Sequence, residues 1–196
     1  RREIKLKNRI INEKKSFIIA EIGINHNGNF SKAVKMIYDA YNAGAECVKF
    51  QMHLPDIEMS YHAKNIKPSN SKYSIYDVIN RCTLTLEEHK KLKNIVESLN
   101  MIYLCTPFSI EAVKLLNSEL NVEAFKIGSG EMNNLELISY VAHFGKPMFI
   151  STGMNPLHKI RKTYNLLKKL NASFMFFHCV SMYPTPYNKV NLKNKI

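Results

Sequence analysis

The 196-residue sequence contains no C-x-x-C pair, no apolar stretch of membrane-spanning length, no apolar core behind its basic N-terminus, and no arginine cluster or basic aromatic stripe. Each absence removes a class of protein. Without C-x-x-C spacing, Cys47, Cys82, Cys105 and Cys179 offer neither a zinc site nor a redox pair. Cys47, Cys105 and Cys179 also fall in strand-like runs, so reduced core thiols in a cytosol are expected. Lacking a spanning segment and a secretory leader, the chain reads as soluble and cytoplasmic, with no membrane partner. The net charge of +12, from 28 basic against 16 acidic residues, comes mostly from lysines spread along helix faces. It reads as a solvated surface, or a field for small anions, with no nucleic acid as partner.

What the chain does contain is one repeated pattern. Phe17 to Gly23, Ala45 to Gln51, Met101 to Thr106, Val122 to Ile127, Pro147 to Thr152 and Ser173 to Cys179 are apolar runs, too short for helices and suited to buried parallel strands. Helical spacing fills Ser31 to Ala43, Leu86 to Leu99, Ile110 to Leu116, Asn134 to Phe144 and Leu157 to Leu170. Ser31, Thr85 with Glu88, and Ser109 are expected N-terminal caps, and Gly44 and Gly145 expected stops. Strands alternating with helices predict an α/β fold, a (β/α)8 TIM barrel whose functional residues gather at strand C-terminal ends.

A complete barrel takes about 250 residues, so about six of eight strand–helix units are expected, in a fragment or truncated form of a longer protein. The expected organisation is an N-terminal β-hairpin extension over 1–16, with its turn at Asn12-Glu13-Lys14-Lys15, then a partial barrel over 17–196. His53 to Leu84 is predicted as one long loop of the kind that covers substrate.

The strand ends carry the chemistry. Lys126-Ile127-Gly128-Ser129-Gly130-Glu131 joins a cation, a glycine turn whose amides can cradle an anion, and a carboxylate. Lys49 and Gln51 close the second run, Thr106 the third, and Ser151-Thr152-Gly153 the fifth, ahead of a helix N-terminus that adds to an anion's field. Glu21, flanked by apolar residues, closes the first.

These residues, with Ala20 to Gly28, Asp56 to Ser60, Lys67-Pro68-Ser69-Asn70, Ser74-Ile75-Tyr76, Thr106 to Ser109 and Tyr183 to Tyr187, resemble the sialic acid synthase (N-acetylneuraminate synthase) family, in order from about residue 16 onward. The resemblance implies condensation of phosphoenolpyruvate with N-acetylmannosamine to N-acetylneuraminate plus phosphate. It implies that Lys49, Thr106, Lys126, Ser129 and Ser151 hold phosphoenolpyruvate. It also implies that Glu21, Gln51, Asn70, Glu131 and Tyr183 face the amino sugar, with Glu131 or alternatively Glu21 as the catalytic proton-handling group. Legionaminic and pseudaminic acid synthases share the fold and several motifs.

The resemblance further implies a homodimer and a divalent cation, Mn2+ or Mg2+. The family's histidine ligands lie on later strands, in a Ser-Asp-His-Thr segment and a Glu-x-His segment that follows it, so metal ligands and a C-terminal antifreeze-like domain are expected beyond Ile196, and this chain alone is expected to be inactive. The blander expectations are that His26 shapes its turn, that His178 is no metal ligand, and that Met36, Met101 and Met175 fill core. The competing class is a non-catalytic barrel that binds an anion or nothing.

Overall fold

Each apolar run forms a strand whose ends are shifted from the run's by up to three residues, in a computed structural model that describes residues 3–7, 9–67 and 72–192. The chain divides into two compact units, Arg1–Glu123 and Ala124–Ile196.

In the first unit, β1 (Ile4–Leu6) and β2 (Arg9–Ile11) form an antiparallel hairpin, and β3 (Ile19–Gly23), β4 (Cys47–Met52) and β5 (Ile102–Pro107) form a parallel sheet in chain order. Register places Glu21 opposite Lys49, and Gln51 opposite Thr106. The helices are α1 (Phe30–Asn42), α2 (Pro55–Glu58), α3 (Ile75–Cys82), α4 (Leu86–Ser98) and α5 (Ile110–Ser118). Every residue of β5 is buried, as is all of β4 but Gln51, because α4 and α5 pack on β5 and α1 on β3. Continuous burial on both faces is what a parallel sheet under helices requires. Phe50, fully buried between His26, His89 and Tyr103, contributes about 2–3 kcal/mol through removal of its ring from water.

In the second unit β6 (Phe125–Ile127), β7 (Met148–Ser151) and β8 (Phe174–Phe177) are again parallel and sequential, with α6 (Leu135–Ala142) after β6 and α7 (Leu157–Lys169) after β7. Strand and helix alternate through both units, giving the α/β, incomplete TIM-barrel class with six parallel strands among the described residues. No helix among them is long and apolar enough to cross a membrane.

Local expectations fare unevenly. Thr85 and Glu88 form the predicted capping box, and Ser109 caps α5 through the amide of Ala112. At α1, however, the cap is Asn29, which accepts from the Lys32 amide at 2.8 Å, and not Ser31. The hairpin turns directly after Leu6, with Lys7 at φ 45°, and Ile4, Leu6 and Ile11 are all buried; Asn12 to Lys15 forms a separate turn closed by one bridge. Arg9 of the hairpin donates to Glu46 at 2.6 Å and draws that carboxyl below its usual range.

The long segment after β4 is not a plain loop. It holds α2, a short 3-10 turn at Ala63–Asn65, and α3, capped by Ser74 through the amide of Asp77. Of the expected core methionines, Met101 is fully buried, while Met36 and Met175 are only partly so.

Candidate active site

In the first unit the expected strand-end residues meet. Lys49 is 5 % exposed, an expensive position for an ammonium without partners. Its Nζ stands 2.8 Å from Glu21 Oε1 and donates to Thr106 Oγ1 at 3.2 Å, so three adjacent strands share one charge. Only the carboxylate side of this group is open, since the Glu21 side chain is 56 % exposed.

Gln51 adjoins it. A Cβ on Gly23 would stand 2.9 Å from Glu21 Oε1 and 3.8 Å from Gln51 Nε2, so both side chains reach into space that only glycine leaves vacant; Gly23 also takes φ +57°. Behind Gln51 lies a pair of residues to which the motif reading gives no role. His53 Nε2 is 2.9 Å from Gln51 Oε1 and its Nδ1 is 2.7 Å from Glu58 Oε1, while the ring stacks on Phe108. A signal for His53 was present, because Lys49, Gln51 and His53 alternate along one strand direction and share a face. Glu58 carried no such signal.

In the second unit Lys126, 7 % exposed, donates to Ser151 Oγ at 2.5 Å and to the carbonyl of Ile127 at 2.8 Å, with its Nζ 5.5 Å from the centre of the Phe177 ring. Ser129 is fixed through its carbonyl, which accepts from Asn155 Nδ2 at 2.7 Å; the same amide donates to Gly153 O at 2.7 Å. A Cβ on Gly153 would meet the hydroxyls of Ser129 and Ser181. Gly153 is therefore the point on which the Ser129 turn and the chain after β8 close.

Glu131 is placed differently from Glu21. It accepts from Asn134 Nδ2 at 2.8 Å, and Asn134 in turn caps α6 through the amide of Leu137. The second unit thus presents a cation–hydroxyl pair and, separately, a carboxylate at a helix start. Tyr183 is 98 % exposed after β8 and joins neither group. Asn70 lies outside the described residues.

Burial holds the titratable groups beneath the first unit's strand ends in their neutral forms. Desolvation pushes the Cys105 thiol up to about 12 and the Cys47 thiol higher, so both are poor nucleophiles. Desolvation also lowers His89 to about 4, and its Nδ1 lies 2.6 Å from the Tyr103 hydroxyl. His26, likewise lowered by burial, accepts from the Gly28 amide at 3.1 Å and shapes the turn after β3, as expected. His178 lies 2.7 Å from the carbonyl of Val190. Among the described residues no three or more His, Cys, Asp or Glu side chains group so as to hold a metal ion.

A sequence model of the NeuB family matches residues 36–195. The chain is 39% identical over 187 residues to the N,N'-diacetyllegionaminic acid synthase of Campylobacter jejuni, covering 92% of this chain and 56% of that protein. It is 36% identical over 182 residues to human N-acetylneuraminate-9-phosphate synthase, covering 90% and 50%. The crystal structure of an N-acetylneuraminic acid (sialic acid) synthetase from Leptospira borgpetersenii, in complex with citrate, superposes with a TM-score of 0.83 at 29% identity, covering 96% of this chain and 63% of that one. The chain thus spans about half the length of the curated relatives it matches.

Proposed function

Because the chain belongs to the NeuB family, we propose that it supplies strand ends of an enzyme that condenses phosphoenolpyruvate with N-acetylmannosamine, forming N-acetylneuraminate and releasing phosphate. The observation that carries this reading is the buried Lys49 ammonium held between Glu21 and Thr106. A cation kept dry and pre-aligned gains far more from an anion than a solvated one does.

In this reading, as the family resemblance implies, Lys49, Thr106, Lys126, Ser129 and Ser151 serve the carboxylate and phosphate of phosphoenolpyruvate. Glu21, Gln51, Asn70, Glu131 and Tyr183 serve the hydroxyl-rich sugar. C3 of phosphoenolpyruvate attacks the aldehyde carbon of the open-chain sugar, water adds at C2, and the tetrahedral intermediate collapses with loss of phosphate. Glu131, oriented by Asn134, exchanges the proton at the former aldehyde oxygen, while Glu21 orients Lys49. A divalent cation, Mn2+ or Mg2+, would polarise the aldehyde as a Lewis acid when bound. The working enzyme is proposed to be a homodimer.

The 39% identity to the legionaminic enzyme favours a second reading, in which the sugar is an N,N'-diacetyl one. Supplying the full-length enzyme with phosphoenolpyruvate and each sugar in turn, and following phosphate release and product mass, separates the two. Phosphate release with N-acetylmannosamine is the expected result; release with the diacetyl sugar alone selects the second reading, and release with neither overturns both.

A further inference from the structure

The His53 side chain is fixed on three sides. Its ring stacks on Phe108 with centroids 4.1 Å apart and planes 13° from parallel. Nδ1 faces Glu58 Oε1, and Nε2 faces Gln51 Oε1. Glu58 is itself fixed, since its other oxygen accepts from the Leu54 amide at 3.1 Å. The side chains of His53 and Glu58 are only 5 % and 6 % exposed. This is a dry, fully partnered bracket behind a strand-end amide.

We infer that His53, held by Glu58, is a positioning residue that decides which end of the Gln51 amide faces the substrate. An ionised carboxylate can only accept, so Nδ1 of His53 carries a hydrogen toward Glu58. The remaining freedom is at Nε2. With a proton there, the ring donates to Gln51 Oε1 and turns the amide NH2 outward, which is the arrangement in the structure. Without it, Nε2 accepts, so the amide must turn over and present Oε1 instead.

The two arrangements differ in what they offer a ligand. The outward NH2 lies beside the Glu21 carboxylate, over Gly23, so donor and acceptor stand together and can bind a hydroxyl or carbonyl oxygen of the substrate in concert. The reversed amide would set two acceptors side by side, which repel each other and leave such an oxygen without a donor. The groups facing the ring are Glu58 from α2, uncharged Gln51 from β4 and Phe108 after β5, with His89 of α4 within charge–charge range. The assignment of the ligand as the amino sugar rests on the proposed function; the coupling of His53 to Gln51 does not.

Glu58→Gln keeps the shape of the bracket and removes its charge. In 15N spectra of this chain, the Gln51 side-chain NH2 signals are expected to shift in the variant, with the His89 signals unmoved as the check on folding. Unmoved Gln51 signals overturn the inference. In the full-length enzyme, Glu58→Gln is expected to raise KM for the sugar about tenfold, with kcat within about threefold. That effect should vanish in a Gln51→Met background. A loss additive with Gln51→Met also overturns it. Should the enzyme turn over neither sugar, the functional reading fails while the Gln51 signals still decide the positioning role.

Discussion

Gly153 shows how narrowly one residue can fix a site. Any side chain there would meet the Ser129 and Ser181 hydroxyls, so Gly153→Ala is expected to cost about 1–3 kcal/mol by overpacking and to weaken phosphoenolpyruvate binding by moving Ser129. Denaturant midpoints and binding calorimetry on the same variant measure the two effects. His89 gives a prediction of a different kind. Its folded-state value of about 4 lies below the ordinary 6.5, so the unfolded chain takes the proton first as pH falls. Stability present above about 6.5 is therefore lost progressively down to about 4, by up to about 3 kcal/mol at 1.4 kcal/mol per tenfold change in proton affinity. His89→Gln is expected to flatten that part of a pH–stability curve; an unchanged slope would count against the assignment. For Glu131, replacement by Gln keeps the amide of Asn134 partnered, and kcat of the full-length enzyme is expected to fall about 100-fold or more if the carboxylate moves the proton. Glu21, Lys49 and Thr106 were legible in the sequence because each ends an apolar run. Glu58 was not, because its role arises only when α2 folds back toward β4, and a glutamate between an isoleucine and a methionine gives no hint of that.

Among elements, legibility followed capping chemistry. The Thr85–Glu88 box marks the start of α4 in sequence and in structure alike, and Thr85→Ala is expected to remove about 1 kcal/mol of stability, read from the thermal or denaturant midpoint. At α1 two residues could cap, and the backbone chose Asn29, whose extended φ of −93° and ψ of 111° let its side chain reach the Lys32 amide. Helix α3 was legible and missed. Ile75, Val78, Ile79 and Cys82 stand at i, i+3, i+4 and i+7 behind Ser74 with Asp77 three residues on, but this stripe of two turns lies inside a stretch read as one long loop. The hairpin turn was misplaced because the Asn12 to Lys15 stretch is also a real turn, and composition alone does not say which of two turns joins the strands.

At the scale of the molecule, alternation of short apolar runs with helical segments was enough to give the α/β barrel class, since few other arrangements bury such runs on both faces. The division into two units could not be read, as no change of composition marks residue 124. Uneven burial predicts uneven stability: in native-state hydrogen exchange the amides of β4 and β5 are expected to be the slowest, with β8, whose four residues are all partly exposed, and the 55–82 excursion opening sooner. Uniform protection across all six parallel strands would contradict this.

The bracket around His53 has a reciprocal side. Whatever Glu58 does for the preference of Gln51 for a ligand, a ligand seated on Gln51 must do for the hold of Glu58 on His53, by the same factor. Binding would then steady the turn after β4 from a distance, and the Leu54 amide, which donates to Glu58, would exchange its hydrogen more slowly once the site was filled.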